Sequence, residues 1–323
     1  MLIALGILRP EDPLKGVVGM MGEYPLLDPA GFALWQRHFP AGDGIPAVGK
    51  ASGDTFNAEA AIALKPDVAV FALAGHGPSP KAAALVERLQ AAGVAVVFID
   101  FFRDPLVNTT RSVRLLGEIL GRQERADAFA KAYDTALAAV DARIAGVSRR
   151  PLVFLENRVG LQAECCASVG TAVIGNLIDR AGGQNLGSDL ISGNSGLVGL
   201  EYLLGHQPDV YIGTAIGNPL NRISQPARIQ AGPGVSAEQA RASLANSLKR
   251  NGIAQLDAVR QGRAYAIWHH FFHSPFNVVA VQAMAKWFHP QAFADLDPQV
   301  TLADFMARFQ PFAATGAYWA EAR

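Results

Sequence analysis

The run Asp67 to Leu73, D-V-A-V-F-A-L, is short and almost continuously apolar, with no polar face. That pattern predicts a buried strand covered on both sides. A helix precedes it, capped by Asn57 and running to about Leu64; Pro66 cannot continue it, because its ring clashes with the preceding turn. Upstream, Asp28 to His38 reads as a helix, with Asp28 as cap and Pro29 at its first position. Downstream, the turn-rich loop Gly75-His76-Gly77-Pro78-Ser79-Pro80 leads into a helix from about Lys81 to Ala92. A strand over Val94 to Ile99 follows, then a loop over Asp100 to Pro105 and a helix over Asn108 to Leu120. Strands alternating with helices through short connections predict a parallel sheet flanked by helices.

From Gln123 to Ala145 the pattern changes. No Gly or Pro interrupts, and Ala126, Phe129, Tyr133, Leu137, Val140 and Ile144 recur every three or four residues, giving one apolar face. Such a helix spans roughly 35 Å. Between two α/β regions it reads as a rigid strut that limits hinge motion, where a Gly/Ser linker would permit it. Beyond it come strand Leu152 to Leu155, helix Thr171 to Ala181, helix Glu201 to Gly205 and strand Val210 to Ile212. A long loop over 213–235, a helix from Ser236 to Asn251 and strand Ala264 to Trp268 follow. Ser274-Pro275 opens a helix to about Phe288, and Leu302 to Phe309 forms a last one.

One phrase occurs twice: Glu59 and Glu201 each begin Glu, six residues, Pro-Asp-Val. A duplicated unit predicts two similar lobes with a cleft between them, and the two acids offer matched docking points. The fold class is α/β, two Rossmann-like lobes with central, mainly parallel sheets joined by one long α-helix. The expected division is residues 1–121, a linking helix over 122–147, and 148–323. Each acid alone is also explained by the helix dipole, which favours an acid in the first turn by about 0.3–1 kcal/mol.

Half the residues are hydrophobic and 28 basic residues balance 28 acidic ones. No basic field exists to hold a phosphate backbone, which argues against nucleic acid as a partner. The two cysteines, Cys165 and Cys166, are adjacent; they read as buried thiols, with a vicinal disulfide as the alternative, and no zinc spacing is present. No apolar run reaches the roughly 18 residues of a membrane span. The apolar start Met1 to Leu8 lacks a basic segment and a cleavage site, so it is not a complete signal peptide. Either the protein is cytosolic or its natural start lies upstream.

Nucleotide loops and catalytic elbows are missing: Gly16 to Gly22 and Gly49-Lys50 have the wrong spacing, and Gly193-Asn194-Ser195-Gly196 matches only in part. The densest chemical cluster is Trp268-His269-His270-Phe271-Phe272-His273, at a strand end where ligands of open α/β sheets bind. Strand alternation would put Trp268 and His270 on one side and His269 on the other. One reading is a core histidine with two exposed ones; the sharper reading is a cleft wall of aromatic and imidazole groups. His76, Phe101, Phe102, Arg103 and Arg158 share the strand-end position. Each alone reads as a surface residue, but arginine suits carboxylate or chelate oxygens.

The phrase F-N-A-E-A-A-I-A-L-K-P-D-V-A-V-F resembles a motif of the periplasmic substrate-binding proteins of ATP-driven (ABC) importers that carry ferric siderophores, haem and cobalamin. Leu115 to Gly121, Ala181 to Asn185, Ala258 to Ile267, Ser274 to Asn277 and Ala285 to Pro290 match in the same order. The resemblance implies two lobes on a long backbone helix, no enzymatic activity, no cofactor, a monomer, and a periplasmic or lipid-anchored extracytoplasmic location. It implies that Glu59 and Glu201 dock on the inner-membrane permease, and that the first strand and export signal are missing from the start. The expected ligand is an iron chelate, a Fe(III) siderophore, held by His76, Phe101, Phe102, Arg103, Arg158, Trp268, His269, His270 and His273. Haem or cobalamin is the alternative. Bare zinc or manganese is disfavoured for want of a separated histidine–carboxylate set, and a cytosolic two-lobed enzyme is the alternative of another class.

Overall fold

The computed structural model describes residues 1–161, 165–218 and 227–322. The first lobe carries α1 (Leu2–Leu8), α2 (Tyr24–Leu27), α3 (Pro29–His38), α4 (Ala58–Ala63), β1 (Val68–Ala72), α5 (Ala83–Ala91), β2 (Ala95–Ile99) and α6 (Pro105–Ile119). The long helix α7 (Gln123–Ile144) leads into the second lobe: β3 (Leu152–Glu156), β4 (Ala167–Val169), α8 (Ile174–Arg180), β5 (Gln184–Asn185), β6 (Ser195–Leu197), α9 (Leu200–His206) and β7 (Val210–Ala215). It continues with α10 (Ala237–Ser247), α11 (Asp257–Arg260), β8 (Ala264–Trp268), α12 (Asn277–Phe288), α13 (Pro298–Phe309) and β9 (Trp319–Glu321).

The capping signals act as read. The Asp28 carboxylate accepts from Gly31 N and the Asn57 side chain from Ala60 N, each satisfying a donor that the helix start leaves free. At α10, Ser236 and Gln239 cap each other reciprocally. Four helix starts differ from expectation by three residues or more: α8 begins at Ile174 instead of Thr171, and α13 at Pro298 instead of Leu302. Helix α6 begins at Pro105, where proline loses no hydrogen bond, three residues before Asn108. Helix α12 begins at Asn277, and Ser274 Oγ instead accepts from Phe276 N in the turn before it.

In the second lobe the sheet order is β5-β3-β7-β8-β9, parallel except for β9. Its central strand β7 is buried along its whole length, as an apolar run covered by helices should be. The first lobe is different. Among the described residues β1 pairs only with β2, and of β1 only Phe71 is fully buried. The expectation of a strand covered on both faces therefore fails there: a two-stranded sheet leaves edges and faces open. The apolar start folds as helix α1, which packs on α7 and α13.

Helix α7 buries Ala126, Phe129, Ala130, Tyr133, Leu137 and Val140, the stripe read from its periodicity; only Ile144, at its end, is part-exposed. The stripe packs on α6 of the first lobe and α12 of the second. Phe129 meets Phe276, Phe305 and Phe309, and the Tyr133 hydroxyl lies 2.6 Å from Asn277 Oδ1, whose amide donates to Thr109. The strut is thus welded into the core of both lobes.

Candidate functional site: a cleft of imidazoles between the lobes

The strand ends of the two lobes face each other. On the first lobe, β2 stops at Ile99 and the chain turns at Asp100. The Asp100 carboxylate accepts from the backbone N–H groups of Phe102, Arg103 and Asp104 and from Asn108 Nδ2. Burial pulls its pKa up, but these donors outweigh it and hold the carboxyl below its ordinary range. The turn so fixed presents Phe102, part-exposed, and Arg103, exposed; Phe101 turns into the core. Beside it, His76 stands between two glycines with φ of 103° and 73°, and a side chain at Gly75 would press on the Phe102 ring.

On the second lobe the ladder between β7 and β8 ends at the pair Ala215 and Trp268. With no partner left, residues 269–273 tighten into a 3-10 turn, so the side-to-side alternation expected for Trp268, His269 and His270 does not hold. All three histidines gather on one side instead. Ring centres lie 5.2 Å apart for His269 and His270, 5.6 Å for His269 and His273, and 6.4 Å for His270 and His273. His76 reaches across from the first lobe to 6.2 Å from His273, and Phe102 stacks flat on His273 at 4.8 Å and 9°.

Residues that the sequence reading passed over organise this cluster. The buried Thr214 hydroxyl, at the end of β7, accepts from Arg158 N at 2.6 Å and lies 3.2 Å from His269 Nδ1. That leaves His269 Nε2 toward its neighbours. His270 Nε2 lies 3.0 Å from the carbonyl of Leu27, so its Nδ1 is the free nitrogen. Glu23 brings a carboxylate oxygen 3.3 Å from His76 Nδ1. The pair is not aligned as a hydrogen bond, and that oxygen is buried without a partner. A threonine near a strand end, and an acid five residues before another acid, are too common to be read as signals.

Burial, then the neighbouring His270, His273, Arg158 and His76, push the pKa of His269 well below its usual value. Burial followed by His270, His76 and Arg158 does the same for His273. For His270 burial lowers the pKa and Asp28 partly restores it. The three imidazoles are therefore neutral at pH 7, fit to donate a lone pair or a single N–H. Burial raises Glu23 and Asp28, partly offset by His76 and by His270 respectively.

Not every expected residue lines this cleft. Trp268 is 4% exposed, packed on Phe271, Tyr318 and His270, and lines a separate cavity of about 30 Å³ behind the histidines. Arg158 is exposed, at φ 50°, with its charge felt by all three histidines of the turn. Cys165 and Cys166 are joined to each other, against the expectation of thiols. Their sulfurs and Glu156 lie close together, yet both Glu156 oxygens are taken by Arg250 at 2.7 Å, and Tyr211 donates to one of them. Glu156, Arg250 and Tyr211 form an ion-pair network, and the joined sulfurs offer no thiolate beside it. Among the described residues no other three such groups bring their ligand atoms close enough to enclose an ion.

Glu59 and Glu201 are each the second residue of their helix, α4 and α9, and both are exposed. Each unit then ends on a left-handed residue just before the proline, Lys65 at φ 51° and Gln207 at φ 40°. The repeat is therefore a repeat of backbone conformation as well as of letters. No helix among the described residues is long and apolar enough to cross a membrane.

Comparison with known proteins agrees with this architecture. A TroA-like periplasmic binding protein, FepB, from Veillonella parvula superposes with a TM-score of 0.88 at 25% identity, covering 99% of this chain and 90% of that one. The Haemophilus influenzae molybdate periplasmic binding protein MolA gives 0.71 at 18% identity, covering 98% and 92%. The periplasmic heme-binding protein RhuT from Roseiflexus gives 0.60 at 20%, covering 90% and 96%. A search of curated sequences returns no match. The sequence profile described as periplasmic binding protein matches residues 33–268. Proteins of that family are solute-binding proteins that take up small molecules outside the cytoplasm and work with ABC permeases. This chain, with its two α/β lobes on one long helix, belongs to the periplasmic binding protein family.

Proposed function

We propose that this protein is the solute-binding component of an ABC importer and that its solute is an iron chelate, a ferric siderophore, held between the lobes. The observation that carries this reading is the neutral imidazole cluster supplied by both lobes, His76 from one and His269, His270 and His273 from the other. Phe102 offers an apolar face beside it, and Arg103 and Arg158 offer exposed guanidinium groups for chelate oxygens. The chemistry is reversible capture: bonds to the solute form and break, and none within it. Glu59 and Glu201 then present the loaded protein to the permease.

Haem is the second reading, favoured by the part-exposed, neutral His273 and by the likeness to the heme-binding protein. Tryptophan fluorescence titrated with ferric siderophores and with hemin tests both. Trp268 lies 5.5 Å from His270 and reports on the cleft. Saturable quenching by a ferric siderophore, lost in Trp268→Phe, is the expected result. A Soret shift with hemin and no response to ferric siderophores would favour haem, and a flat response to both would overturn the reading.

A further inference from the structure

Behind the histidine turn lies the cavity of about 30 Å³ that Trp268 lines. Most of its wall is apolar, from residues such as Leu34, Trp35, Phe271 and Leu302. Four polar groups interrupt that wall. The Trp268 indole Nε1–H is buried without a partner. The Tyr24 and Tyr318 hydroxyls form no hydrogen bond among the described residues. In the buried Asp28 carboxylate, Oδ1 caps α3 by accepting from Gly31 N, which leaves Oδ2 for another donor.

These groups converge on one place. Gly31 also lines the cavity, and a side chain there would strike both Asp28 Oδ2 and the Tyr24 hydroxyl. Burial raises the pKa of both phenols, and the nearby Asp28 charge raises each further. Gly232, at φ 115°, passes so near the indole that any side chain there would press on Trp268 Nε1. The chain thus comes close to that nitrogen and still gives it no acceptor. A buried donor without an acceptor is costly, so the filling of this space matters.

Chemistry narrows the occupant. An indole N–H only donates, which turns away a cation; a carboxylate only accepts, which turns away an anion. Water does both. One water needs roughly 10–15 Å³ of such space and about two to four polar partners. The site supplies both.

We infer that this cavity is a water site: one bound water accepts from Trp268 Nε1–H and donates to Asp28 Oδ2, with the Tyr24 and Tyr318 hydroxyls completing its shell. The water joins the lobes. Asp28 follows Leu27, whose carbonyl meets His270, and Trp268 opens the turn that carries His270. A closed ring of contacts runs from Asp28 through the water to Trp268 and back through His270. It holds the histidine turn in place whatever solute the cleft carries.

Tyr318→Phe in the full chain tests the site, because it removes one hydroxyl and keeps the ring. A hydroxyl that binds water stabilises the fold, so its loss should lower the melting temperature by roughly 2 °C. Exchange of the Trp268 indole N–H should quicken on the order of tenfold. A hydroxyl that is merely unsatisfied behaves oppositely: the melting temperature would hold or rise, and the inference would be overturned. The unaltered protein gives a second reading by NMR, with the Trp268 indole signal assigned from its loss in Trp268→Phe. Its proton should show a direct Overhauser contact with a long-lived water. Absence of that contact, or a crystal structure showing the cavity dry or holding an ion against Nε1, would overturn the site whatever the melting temperature does.

Discussion

The two lobes carry the same surface device on very different foundations. In the second, a five-stranded sheet is buried under helices, and its apolar core runs without a break into helix α7. In the first, two paired strands rest on a satellite cluster of Phe71, Leu89 and Val94. Each lobe nonetheless ends a strand at the cleft and shows a glutamate at the second position of a short helix. The lesson concerns division of labour. The second lobe holds most of the imidazoles on a rigid base, while the first supplies His76, Glu23 and the Asp100 turn from a thinner structure tied to α7.

The largest effect should come where the two foundations meet. Phe129→Ala removes a ring that touches Phe276, Phe305 and Phe309 and should cost about 3–5 kcal/mol. Because α7 is packed into both lobes, denaturation followed by fluorescence and by circular dichroism should move together. Phe71→Ala should act locally: faster amide exchange in β1 and β2, with a smaller loss in global stability. If Phe71→Ala matched Phe129→Ala globally, the satellite cluster would have to count as part of the main core.

Docking gives the next contrast. Glu59 is already ion-paired with Arg88, whereas Glu201 forms no ion pair among the described residues. Glu201→Arg should therefore reduce uptake more than Glu59→Arg, with solute affinity unchanged in both. Equal losses would show that Arg88 releases its partner on docking.

Acidity separates the lobes again. The buried histidines have folded-state pKa values below the ordinary one, so the unfolded chain takes up protons first as pH falls through about 6.5. Stability contributed by these groups is full above that point and is lost below it, and the melting temperature should drop between about pH 7.5 and 5.5. Glu23 and Asp28, with raised values, act with the opposite sign. Their contribution is full below the ordinary carboxylate range and lost as pH rises through the folded value. His273→Gln should flatten the acid-side slope; an unaltered slope would show that these imidazoles are not the cause. The smallest change expected is from Asn57→Ala, about 1 kcal/mol for the lost cap of α4, read by thermal melting.

Much of this was legible from residue order alone. The buried stripe of α7, the caps at Asp28 and Asn57, and the duplicated unit all depend on neighbours within a turn or two. The cluster at 268–273 was found by composition, but its geometry was not. A strand ends where its partner ends, and Ala215 is 53 residues away from Trp268. Thr214, Glu23 and Asp100 escaped notice for a related reason. Each matters through a contact made in three dimensions, and none carries a spacing that marks it in one.

Hydrogen exchange measured with and without a bound ferric siderophore tests the central claim most directly. Protection should appear together around His76, across 100–104 and across 268–273, one set from each lobe. Protection confined to a single lobe, or lying outside these three segments, would contradict a solute held between the two.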